Sequence, residues 1–335
     1  MERIVVQLVE ARRLADFNDV AHGRLALLLL DNAAETLLSR RAEEALIWAD
    51  MHGNMLKTLE RLGDSPNQDR QALIEELRAE AVSEKTQQKI RQNFSDLVRF
   101  VFSRNDCGLA QELAGCLNAL HRYRNAAYHR DLVRNDVLGP ANAIYFYLCC
   151  ELLKQQKNMV MEIAPPPTVV LEVFGGQLPE HLTGLLTDDK MMGVAVADKL
   201  LTQNQLDHGN IASALAAHLA ARIDVLERNL NEFIDYLGYP DRATALRSIQ
   251  LMPLSYEAPK LPDDFWTRPI TVTEKVIAGW KHRATAISSL SLAQYALRQF
   301  DDIELAISKF EAQLEPFTIA IDREIQLEID RRLGK

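Results

Sequence analysis

The sequence predicts an all-α protein: an N-terminal helical bundle followed by a second helical domain. Three observations predict it. Helix breakers are few, with only 14 Gly and 12 Pro among 335 residues, and they fall in clusters that leave long stretches uninterrupted. Apolar residues return every three or four positions, the period of an amphipathic helix. The chain also exceeds the usual size of one helical core, which favours two domains.

The first helix is expected from about Asp19 to Leu38, where Leu25–Leu30, Ala33, Ala34, Leu37 and Leu38 are apolar. Such wide apolar coverage marks a central helix touched on several sides. A second is expected from Arg40 through Trp48 and Met55 to Leu62, stopped by Gly63 and Pro66. A third covers Gln68 to Val82. A fourth runs from Glu84 to Phe102, carrying Ile90, Phe94, Leu97, Val98 and Val101 at helical spacing. Gly108–Asn125 makes a fifth and Pro140–Asn158 a sixth, rich in Tyr145, Phe146, Tyr147 and Leu148.

The pattern then changes. Pro165, Pro166 and Pro167 cannot continue a helix and predict extended chain. Val169–Phe174, closed by Gly175 and Gly176, reads as a short strand. The expected organisation is therefore a bundle over 1–162, a linker with a strand over 163–178, and a helical domain over 179–335. In the latter, Asp188–Leu201 and Ile211–Leu237 are amphipathic, the second ending at Gly238 and Pro240. A loop holding Pro253, Pro259, Pro262 and Pro269 precedes two helices, Val272–Gln299 and Asp301–Leu333. In the last, Ile303, Ile307, Phe310, Leu314, Phe317, Ile321 and Ile325 form a seam that requires a partner helix. Pro316 should bend that helix or mark a junction.

Composition excludes several classes of function. A formal charge of −9 rules out a surface coated for nucleic acid, though not one small basic site. Cys107, Cys116, Cys149 and Cys150 form no C-x-x-C pair and read as buried thiols of a reducing compartment. His208, His218 and His282 lack carboxylates at ligand spacing, so no metal is expected. Gly175-Gly176 alone is no phosphate loop, and no cofactor is expected. The start of the chain lacks the apolar run of a signal peptide, and Leu25–Leu30 and Ala141–Leu153 are too short to span a membrane. A cytoplasmic protein is the expectation.

One stretch carries chemistry. Between Leu117 and Arg134 lie Arg122, Arg124, Arg130 and Arg134, interleaved with His121, Tyr123, Tyr128 and His129. Few other stretches of this acidic chain place so much positive charge beside aromatics. On a helix Asn125 and His129 (i, i+4) share a face, and Arg124 can swing its guanidinium toward it. Guanidinium, amide and imidazole are the groups that cleave RNA without metal. The imidazole moves a proton to or from the ribose 2′-OH or the leaving 5′ oxygen. The guanidinium holds the phosphate and stabilises the charge that grows on it.

Arg124, Asn125 and His129 match the R-x4–6-H pattern, with a polar residue after the Arg, and the stretch resembles the HEPN superfamily (higher eukaryote and prokaryote nucleotide-binding domains). The resemblance covers roughly residues 15–160, including the apolar helix that follows the motif. It implies a homodimer whose paired Arg and His residues meet in a cleft and act as a metal-independent endoribonuclease. Such domains occur in toxin–antitoxin, abortive-infection and other anti-phage systems, so an antitoxin or sensor protein is an implied partner beside RNA. Carried over, Arg124 and His129 are catalytic and Asn125 supports them. Where some HEPN toxins carry a Tyr, two residues after the His, this chain has Asp131, which departs from the pattern that a partner nucleotidyltransferase modifies.

Around the motif, His121, Arg122, Tyr128 and Arg130 are candidate RNA contacts, against a solvated helix face or core packing. Asp31, Asn32 and Glu35 interrupt an apolar helix and need partners. Asp31 and Glu35 are candidates to orient Arg124 or His129, against a plain polar contact between helices. Trp266 is a candidate partner anchor, or a side chain that pins its loop. The alternative to the enzyme is a non-catalytic helical module, dimerising through its first half and docking a partner on its C-terminal helices.

Overall fold

In the computed structural model, residues 1–61, 68–104, 107–129, 135–156, 166–183, 189–252 and 263–333 are described. They form α-helices and one 3-10 turn, with no strand among them, and divide into two compact units, Met1–Leu206 and Asp207–Lys335. None of these helices is long and apolar enough to cross a membrane.

The first unit is built on one helix. The helices expected over Asp19–Leu38 and Arg40–Leu62 are a single α2, Val20–Arg61, because nothing between Leu38 and Arg41 breaks the backbone ladder. Leu27, Leu30, Ala33, Ala34, Leu37 and Leu38 are all buried on it. Around α2 pack α1 (Glu2–Ala15), which the sequence reading did not assign, and then α3 (Gln68–Glu80) and α4 (Glu84–Gln92). With them pack α5 (Phe94–Phe102), α6 (Glu112–His129) and α7 (Asn135–Lys154). The helix expected over Glu84–Phe102 is split at Asn93, whose extended backbone ends α4 and whose Oδ1 accepts from the Asp96 N–H to cap α5.

The strand expected over Val169–Phe174 is instead a helix, α8 (Thr168–Val173). Pro167 supplies its N-cap, Val170 and Val173 bury one face, and Gly175 and Gly176 leave it at φ 78° and 100°. A short β-branched run between breakers fits either structure, and packing against α1 decided this one. Pro165 lies outside the described residues. The linker expected over 163–178 is likewise part of the first unit: α8 packs on α1, and α9 (Asp189–Gln203) on α7.

In the second unit α10 (His208–Leu237) ends at Gly238, whose φ of 65° is the left-handed C-cap. A helix the sequence reading left in the loop follows, α11 (Arg242–Leu251), capped by the Asp241 side chain. The helix expected over Val272–Gln299 is interrupted between α12 (Glu274–Ile287), whose start Thr273 caps, and α13 (Ala293–Arg332). Pro253, Pro259 and Pro262 lie outside the described residues. The α13 seam is covered by α10 and α12 through Ile303, Ile307, Phe310 and Leu314, but Ile325 is exposed.

Candidate functional site

The motif sits on α6, which wedges between α2, α5 and α7. Cys116, Leu117, Leu120 and Ala127 turn one stripe of α6 into the core. That stripe sets His121 and Arg124, three residues apart, at the edge facing α2. There they meet Asp31, the one carboxylate buried among the described residues, with 0% of its surface exposed.

The geometry is compact. Asp31 Oδ1 lies 2.9 Å from His121 Nδ1 and accepts from the Tyr145 hydroxyl at 2.7 Å. Asp31 Oδ2 forms an ion pair with Arg124 Nη2 at 2.6 Å. Arg124 Nη1 donates to Asn125 Oδ1 at 2.8 Å, so the neighbouring amide braces the guanidinium. Phe94 of α5 stacks flat on the His121 ring, with centroids 4.0 Å apart and planes 8° apart. His121 and Arg124 each keep 21% of the side chain in solvent. The carboxylate is thus sealed beneath two cationic-type head groups that reach the surface.

Physical chemistry requires this arrangement. A buried carboxylate without donors is expensive, and a buried phenol needs an acceptor. Burial, and then the Asp31 charge, hold the Tyr145 hydroxyl well above its ordinary ionisation range, so it remains a donor. Burial likewise pushes up the thiols of Cys149 and Cys150. Cys149 donates to the Leu30 carbonyl at 3.4 Å, one residue from Asp31. Gly23 lets α2 and α7 approach beside the site: a Cβ there would stand 2.7 Å from Leu138 Cδ2, and Asn142 donates to the Gly23 carbonyl at 3.0 Å. Arg24 donates to the Ala127 carbonyl, in the last turn of α6 where the partial negative charge gathers.

The structure therefore brings together Asp31, His121, Arg124 and Asn125. Glu35, one turn beyond Asp31 on α2, is solvent-exposed, while Ala34, Leu37 and Leu38 take the core face, so it does not share the burial of Asp31. Asn32 faces α1, accepting from Arg3 and Gln7. Arg122 is exposed on α6. The side chains of Tyr128 and His129, and Arg130 entirely, lie outside the described residues. Trp266 is 59% exposed, with its ring edge against the buried Phe265. The sequence reading missed Tyr145, Phe94 and Arg24. A Tyr inside an apolar helix was the available signal for the first, since its hydroxyl must find a partner.

Among the described residues no group of three His, Cys, Asp or Glu side chains comes together to hold a metal ion. Comparison with family models, curated proteins and solved structures finds no significant match for this chain.

Proposed function

We propose that the Met1–Leu206 unit is a HEPN-type, metal-independent endoribonuclease that acts as a homodimer. One observation carries the reading: Arg124 is held by Asp31 and Asn125 at the solvent edge of α6, on the helix that also carries His129. A guanidinium fixed in advance spends little entropy when a phosphate arrives, and the remaining N–H bonds of Nη1 and Nη2 can face developing charge. Cleavage proceeds by attack of the ribose 2′-OH, with His129 moving a proton and Arg124 stabilising the phosphorane-like charge. A toxin or anti-phage effector in the cytoplasm is the role the resemblance implies. The second unit then serves as a partner- or sensor-binding part.

The test is product analysis on RNA in excess EDTA. The expected products carry 2′,3′-cyclic phosphate and 5′-hydroxyl ends, and His129→Ala removes them. Cleavage that needs added metal, or that persists in His129→Ala, contradicts this assignment. Arg124→Lys is a better probe than Arg124→Ala, because alanine leaves the buried Asp31 without its cation.

A second reading has its own support. Ile47, Met51 and Met55 follow one another at i, i+4 and i+8 on α2, each about half exposed, with Trp48 beside them. In that reading the unit is a non-catalytic helical module that docks through this stripe, and Arg124 serves only to neutralise Asp31. It predicts assembly that Met51→Glu disrupts, and no RNA cleavage under any condition.

A further inference from the structure

We propose that His121 is a proton-transferring imidazole of this site, oriented by Asp31 and working beside Arg124; this rests on the ribonuclease reading above. The motif assigns that task to His129, and His121 counted only as an RNA contact. The geometry around His121 is that of a general base.

A neutral imidazole has one protonated nitrogen, and the partner of each nitrogen selects the tautomer. With Asp31 Oδ1 2.9 Å away, Nδ1 carries the proton. The lone pair then sits on Nε2, which the ring directs away from the sealed carboxylate. Phe94, stacked at 4.0 Å, keeps the ring from turning. The groups that face the imidazole are Asp31 from α2, Tyr145 from α7 through the shared oxygen, Arg124 from α6, and the uncharged ring of Phe94 from α5.

Imidazole and guanidinium rest on the two oxygens of one carboxyl group, so their head groups are separated by a few ångström. One phosphodiester fits across that span. His129 lies eight residues further along α6, about 12 Å down the axis, so within one protomer it addresses a different atom.

In the step, Nε2 of His121 takes the 2′-OH proton and O2′ forms a bond to phosphorus. The P–O5′ bond breaks, its electron pair stays on O5′, and the protonated His129 of the reading above gives that oxygen its proton, which solvent then restores. The imidazolium then releases its proton to solvent. Arg124 faces the non-bridging oxygens throughout.

The experiment follows kcat and KM against pH, in EDTA, on a mixed-sequence fluorogenic oligoribonucleotide, for wild type, His121→Gln and Asp31→Asn. His121→Gln is expected to lower kcat about 100-fold or more, with KM within about threefold, and to erase the acidic limb of the pH profile. Asp31→Asn removes the acceptor that fixes the Nδ1 proton and is expected to lower kcat about tenfold or more, with KM within about threefold. A plain structural role would leave kcat of the folded variant unchanged. An active His121→Gln enzyme with the wild-type rate and limb overturns the inference and leaves the ribonuclease reading standing. A wild type that cleaves nothing overturns both. Should His121→Gln fail to fold, NMR titration of wild-type His121 decides: its midpoint must coincide with the acidic limb, and a mismatch overturns the assignment.

Discussion

The first unit holds an ionic cluster around Asp31 and the second one around Arg222, and the two differ in which charge sits at the centre. In the second unit Arg222 of α10 is surrounded by α13: it pairs with Glu304 at 3.4 Å and with both carboxylate oxygens of Glu311, and donates to Ser308 at 2.9 Å. One cation there serves two anions, and it closes the contact between two helices. In the first unit one carboxylate serves a guanidinium, an imidazole and a phenol. The first arrangement repels phosphate and reads as a staple. The second has donors to spare at its solvent edge, so an anion can complete it. Burial of charge alone does not mark a functional site. What separates the two clusters is the surplus of donors at the solvent edge of the first.

That comparison makes graded predictions. The largest concerns the buried carboxylate: Arg124→Ala is expected to destabilise the first unit by about 3–5 kcal/mol, because Asp31 cannot reach water. Arg222→Ala is expected to lose about 1–3 kcal/mol, since Glu311 keeps 36% of its side chain exposed and can be rehydrated. Denaturant unfolding of each variant checks both, and equal losses would break the contrast. Replacing both members of the first pair, as in Arg124→Leu with Asp31→Leu, should restore much of the loss, with a coupling of about 2 kcal/mol or more.

Alkaline pH sharpens it next. The folded-state values of Cys149 and Tyr145 lie above their ordinary 9.0 and 10.0, raised chiefly by burial. Below those values both states hold the proton and stability is complete. Above them the unfolded chain ionises while the folded one does not, so stability falls by about 1.4 kcal/mol per pH unit for each group. Cys149→Ala should flatten that fall in the first unit, as pH-dependent melting will show. The smallest effect tests the scaffold: Asn93→Ala removes the α5 cap and should cost about 1 kcal/mol.

The sequence made some of this legible and hid the rest for physical reasons. Asp31 stood out because a charge inside Leu27–Leu38 must be partnered, and so it proved. Its neighbour Glu35 looked the same in one dimension, but four residues rotate the helix about 40° further, which carries it past the buried edge into solvent. Tyr145 was legible only as a phenol in need of a partner, and Phe94 not at all as a site member, because their contacts join residues far apart in the chain. The α13 seam was readable from period alone, while its length exceeds what α10 and α12 cover, and pattern cannot count neighbours. Asn93 and Pro167 acted as caps, and the strand-like Val169–Phe174 yielded to tertiary packing.

In the proposed enzyme Arg124 is a phosphate ligand as well as the partner of Asp31. The most direct measurement is single-turnover RNA cleavage in EDTA by Arg124→Lys beside Arg222→Lys, each verified as folded. A lysine keeps the charge but loses the fork that binds carboxylate and phosphate together. Cleavage should fall about 100-fold or more in Arg124→Lys and stay within about threefold of wild type in Arg222→Lys. Full activity in Arg124→Lys, or equal losses in the two, would contradict it.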